Sequence, residues 1–135
     1  MKRKFLISVI LTCLFTSGLM AQHPSKTLEI LYFHATRRCP TCLAIEQNTR
    51  KTLDTYFSDQ LKTGTIKLKV INVDEGKNKA LAERYEATGS ALILARFTNG
   101  KESKNDLTDF AFSYARNNPE KFIKELKDKI NKLLK

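Results

Sequence analysis

Two thiols one helical turn apart, Cys39 and Cys42 in the run Arg37-Arg38-Cys39-Pro40-Thr41-Cys42, constrain this chain more than anything else in it. The apolar run before them, residues 28–33, has strand character, and residues 43–57 after them have helical character. Cys39 is therefore expected where a strand hands over to a helix. Pro40 fits that reading, because the first turn of a helix has no use for its amide hydrogen. The helix start and the guanidinium groups of Arg37 and Arg38 all favour a thiolate at Cys39, with Arg38 the preferred partner of the two.

The third cysteine, Cys13, falls in a segment with the three parts of an export signal. Lys2, Arg3 and Lys4 form a basic start, residues 5–15 an apolar run, and Met20-Ala21-Gln22 a more polar end. Cleavage after Ala21 would make 1–21 a signal peptide, 22–26 a short linker with Pro24, and 27–135 one domain, just large enough for a single core. The expected location is periplasmic or secreted. Ser8, Thr12, Thr16, Ser17 and Gly18 make the leader a poor membrane span, so a membrane link is expected only through an uncleaved leader. Losing it would leave Cys39 and Cys42 as the only thiols. A disulfide framework would use several separated pairs, and a four-thiolate zinc site needs two more sulfurs. What remains is a dithiol that cycles or one that captures a soft ion, with no metal assigned and no cofactor besides the Cys39–Cys42 disulfide itself. A purely structural bridge over so few residues would stabilise little.

The formal charge is +10, of which Lys2, Arg3 and Lys4 supply three, leaving +7 after cleavage. Such a balance suits nucleic acid, an anionic membrane surface or an acidic partner. Nucleic acid is not expected, because the lysines alternate with acids, as in 121–135, and no basic block is interleaved with aromatics.

Residues 27–33 read as a central strand, being apolar on both faces. Cys42, Ile45, Thr49, Leu53 and Tyr56 fall on one side of the following helix, which turns Cys42 inward and leaves Cys39 at the tip. Thiol exchange needs that asymmetry: one sulfur attacks, and the other waits to resolve the mixed disulfide. Residues 65–73 read as a second strand, 78–85 as a short helix with Leu81 and Tyr85 as its apolar positions, and 91–97 as a third strand. Asn99-Gly100 is a hairpin signal leading to a second arm at 102–104. Residues 107–115 read as helical, with Phe110, Phe112 and Tyr114 assigned to the core. Asn118-Pro119-Glu120 opens a last helix with Phe122, Ile123, Leu126, Ile130, Leu133 and Leu134 on one face. A strand-helix-strand start implies a parallel pair with a right-handed crossover, and the hairpin adds an antiparallel edge. The fold class is α/β, a three-layer sandwich with a mixed sheet of about four strands flanked by helices.

With Cys39-Pro40-Thr41-Cys42 at the strand-to-helix junction, this order resembles the thioredoxin fold over nearly all of 27–135, and the stretch from Tyr85 to Gly100 resembles a family landmark. More narrowly, Tyr32 through Cys42 with Ala44-Ile45-Glu46 resembles an exported thioredoxin-like family of the ArsF type, described as a nitrophenyl-compound nitroreductase subunit and associated with arsenic-resistance genes. The resemblance implies that Cys39 attacks, Cys42 resolves, and electrons pass to a dedicated protein partner in nitroaromatic or arsenic-related redox chemistry. No Gly-rich phosphate loop or flavin fingerprint occurs, which counts against reduction of a nitro group by this chain unaided.

Two positions depart from the thioredoxin pattern. Ser90 or Ala91 stands where the facing loop would carry a cis-proline, and since a cis bond before a non-proline residue costs about 2.5–4 kcal/mol, a trans bond is expected. The buried aspartate of the first strand is replaced near Phe33, leaving Glu46 and His34 as candidates for proton transfer. His34 could also be a third metal ligand, although its plainer reading is a polar residue closing a strand. The alternatives are a dithiol module binding trivalent arsenic or another soft metal, or a redox-silent interaction domain of the same fold.

Overall fold

In a computed structural model that describes residues 26–135, the run read as a central strand is β1 (Lys26–His34), paired on both sides. The expected leader, 1–21, and residues 22–25 of the expected linker lie outside the described residues. Leu28, Ile30 and Tyr32 enter one core and Leu31 and Phe33 the other, and all five are almost wholly buried. Both of its edges are paired as well. The neighbours are β2 (Ile66–Asn72), parallel, and β3 (Ala91–Thr98), antiparallel. A hairpin from β3 adds β4 (Lys101–Asp106) and completes the order β2-β1-β3-β4. Its turn holds Asn99 and Gly100 at φ 49° and 77°, the left-handed pair that a two-residue hairpin requires.

One face of the sheet is covered by α1 (Pro40–Tyr56), α4 (Thr108–Tyr114) and α5 (Pro119–Leu134), through Ile45, Leu53, Ala111, Phe122, Leu126 and Ile130. The opposite face is covered by α3 (Lys79–Arg84) and the turn after it, through Ala82, Tyr85 and Ala87; α2 (Ser58–Lys62) links α1 to β2. At the start of α5 the Asn118 side chain accepts from the Lys121 amide at 3.1 Å, and Pro119 occupies the first turn, as expected. Among the described residues no helix is long and apolar enough to cross a membrane.

Two residues assigned inward point outward. Tyr56 is 46% exposed because α1 ends there, and its neighbour Phe57 takes the inward place as the chain turns into α2. Phe112 is 38% exposed. Phe110 and Tyr114, four apart, share a face of α4, while Phe112 between them is carried to the far side by the helical period. Two boundaries also shift. Lys26 belongs to β1 rather than to a linker, and the second hairpin arm extends over all of Lys101–Asp106 because β3 offers a ladder of that length.

Candidate functional site

Cys39 is the N-cap of α1 and is exposed; Cys42, one turn on, is 7% exposed. They are joined in a disulfide with Cα atoms 5.0 Å apart. The outer and inner places are those expected from helical spacing. Each sulfur accepts one hydrogen bond. The Cys42 amide donates to Cys39 Sγ at 3.0 Å, and the Ser90 hydroxyl donates to Cys42 Sγ at 3.4 Å. The Cys42 carbonyl accepts from the buried Tyr32 hydroxyl at 2.6 Å.

The loop that delivers Cys39 is tied to the end of β2. The Thr36 amide donates to Asp74 Oδ2 at 2.7 Å, and Asn72 Nδ2 donates to the Thr36 hydroxyl at 3.1 Å. His34 closes β1: its ring stacks on Tyr32 at 5.9 Å, and Nδ1 lies 2.9 Å from the Ala35 carbonyl, which it can only meet as a donor. Among the described residues no three His, Cys, Asp or Glu side chains converge on a metal-sized site.

Arg37 is exposed on the loop, whereas Arg38 folds back. Its guanidinium lies 5.5 Å from the Tyr32 ring centre, and Nη2 lies 2.5 Å from Glu46 Oε2 in an ion pair whose N–H is not well aligned for a hydrogen bond. Glu46 also accepts from Arg50 Nε at 2.8 Å. Partial burial works against the Glu46 charge, but contacts with Arg38 and Arg50 outweigh it and hold the carboxyl below its usual range. A group whose pKa is lowered by folding stabilises the fold above its unfolded value, about 4.3, and that contribution is lost as pH falls through the folded value. Glu46→Gln should therefore be less stable than the parent at pH 6, and the gap should close on acidification toward pH 3, as read by thermal melts across that range.

Beneath the disulfide the departures from the thioredoxin pattern have concrete consequences. The described buried residues include no carboxylate, and Phe33 faces the α3 side, 5.8 Å from the Tyr85 ring. Among the described residues every peptide bond is trans, that before Ala91 included, as expected without a proline. Tyr32 was not singled out as a site residue from the sequence. The available signal was a tyrosine inside a strand apolar on both faces, where a buried hydroxyl must find a partner.

No family model matches this sequence, and no curated protein does. Among solved structures, thioredoxin O2 from Arabidopsis thaliana in its oxidized state is similar over 81% of this chain and 76% of its own, with a TM-score of 0.50 and 16% identity. Fasciola hepatica thioredoxin is similar over 79% and 81%, with a TM-score of 0.47 and 16% identity. Mitochondrial thioredoxin 3 from Saccharomyces cerevisiae, in its oxidized form, is similar over 75% and 77%, with a TM-score of 0.44 and 21% identity. The likeness to the Arabidopsis protein, together with the mixed four-stranded sheet and its helical layers, identifies the architecture as a thioredoxin-like α/β fold. At such identities the likeness speaks for the fold alone.

Proposed function

We propose that this chain is an exported thiol–disulfide oxidoreductase that exchanges electrons through Cys39 and Cys42. The observation that supports it most is an exposed sulfur capping a long helix, bonded to a buried sulfur one turn behind it. In the reducing direction a partner thiolate attacks Cys39 Sγ, and the Cys39–Cys42 bond breaks with its electron pair left on Cys42. A second partner thiolate then attacks the partner's own sulfur in the mixed disulfide, releasing Cys39 as thiolate and the partner as a disulfide. Two electrons have moved. Export follows from the reading of 1–21 as a leader. The chain serves a dedicated protein partner as an electron-passing component, and the narrower resemblance to a nitroreductase subunit points to nitroaromatic or arsenic-related redox chemistry for that pair. Capture of a soft ion by the same sulfurs gains no third ligand among the described residues.

The test is reversible titration of the whole protein with dithiothreitol and with glutathione disulfide, counting free thiols. Two thiols appearing and disappearing together support the proposal; a disulfide that accepts no electrons overturns it. The same assay weighs Arg38. Arg38 directly precedes the attacking cysteine in the chain, so Arg38→Ala should slow alkylation of reduced Cys39 several-fold at neutral pH and move the pH profile of that reaction upward. Arg38→Lys keeps a charge but cannot reproduce the planar contact with Tyr32 and should fall between the two.

A further inference from the structure

We infer that Ser90 acts on the inner sulfur, its hydroxyl stabilising the thiolate that Cys42 becomes when the disulfide opens. The inference rests on the exchange reaction proposed above. Ser90 Oγ lies 3.4 Å from Cys42 Sγ and is the side-chain donor recorded to that sulfur among the described residues. Tyr32 spends its hydroxyl on the Cys42 carbonyl, Arg38 is engaged by Glu46 and the Tyr32 ring, and the buried Thr52 hydroxyl donates to the Asn48 carbonyl at 2.7 Å. Thr49, whose buried hydroxyl has no partner among the described residues, stands about two helical turns further along α1 than Cys42.

Placement of the hydroxyl is not left to a loose loop. Ser90 directly precedes β3, whose first residue, Ala91, pairs with Phe33 of β1, so the strand ladder fixes the point from which the side chain reaches out. A proline at this approach would present no donor. Here the site carries an O–H instead.

The chemistry gives that O–H a direction of effect. A sulfur in a disulfide is a weak acceptor, whereas a thiolate takes a short, charge-assisted bond about twice as strong. When a partner thiolate attacks Cys39 Sγ, a new S–S bond forms to Cys39, the bond to Cys42 breaks, and the electron pair comes to rest on Cys42 Sγ facing Ser90. Ser90 keeps its proton and shares it. The reduced form therefore gains more from Ser90 than the oxidised form does, and the two-electron balance stays as written for the proposed reaction.

The experiment is redox equilibrium of the full chain against dithiothreitol, followed by thiol counting, for the parent, Ser90→Ala and Ser90→Thr. Ser90→Ala should lower the equilibrium constant for reduction roughly fivefold to tenfold, which at 29.6 mV per tenfold makes the potential about 20–30 mV more negative. Ser90→Thr restores a hydroxyl and should return the constant to near the parental value. An unchanged constant in Ser90→Ala overturns the inference and leaves the proposed function standing. A shift in Ser90→Ala that Ser90→Thr fails to reverse also overturns it, since packing rather than the hydroxyl would then be responsible. A parent protein that exchanges no electrons with dithiothreitol removes the proposed function, and the inference with it.

Discussion

Cys42→Ser is expected to turn the protein into a trap: a stable mixed disulfide at Cys39 and exchange turnover reduced to background. Cys39 keeps its exposed place at the helix start, so its attack on an incoming disulfide is undisturbed. What disappears is the second sulfur, held one turn behind and 7% exposed, which would displace the partner. With glutathione disulfide as the probe, Cys42→Ser should carry one glutathione per chain by mass spectrometry under non-reducing conditions. Cys39→Ser should carry almost none, because the remaining sulfur is shielded from a bulky disulfide. Neither variant should unfold. Loop-closure entropy for a bridge across a sequence separation of 3 is worth about 2 kcal/mol, a minor part of the ~5–15 kcal/mol typical of a domain. Equal labelling of the two variants, or none in Cys42→Ser, would remove the division into attacking and resolving cysteines.

The outer and inner places of the two sulfurs were legible in the sequence because they depend on local period alone: Cys42, Ile45, Thr49 and Leu53 share a helical face, and all four are buried. The central strand was legible for a similar reason, since a run apolar at successive positions must bury both faces. Period fails where a helix ends, as Tyr56 shows; Phe112 was assigned to the core without it, and the period of α4 itself turns that side chain outward. It also says nothing of partners. Glu46 was placed one turn after Cys42, which fixes its side of the helix, but its engagement by Arg38 and Arg50 depends on how the loop before Cys39 folds back. Likewise the contacts of Cys42 with Tyr32 and with Ser90 join positions 10 and 48 residues away, and only the assembled sheet brings them together. The missing cis-proline and strand aspartate pointed to an altered site; what stands in their place is tertiary information.

Phe122→Ala should lower stability by about 3–5 kcal/mol, more than the loss of the disulfide. Phe122 is fully buried, lies in the core formed by α1, α4, α5 and the sheet, and stacks on Phe110 with ring centres 5.3 Å apart. Truncation loses both the transfer of the ring from water and the contacts of its lining, and the rigid strand behind it limits collapse into the cavity. The melting temperature should fall by roughly 15 °C or more for a domain of this size. Phe112→Ala removes the same atoms from the same protein at a position 38% exposed, so it should cost no more than about 1 kcal/mol. The contrast isolates burial from side-chain identity and tests the corrected placement of the α4 aromatics. Comparable losses in the two variants would show that Phe112 belongs to the core after all. Because Phe122 sits on α5 while the disulfide caps α1, the redox equilibrium of folded Phe122→Ala, measured well below its melting point, should match that of the parent. A shifted equilibrium would mean that packing between α5 and α1 sets the position of the Cys39 end of the helix, and the site would then be less local than its hydrogen bonds imply.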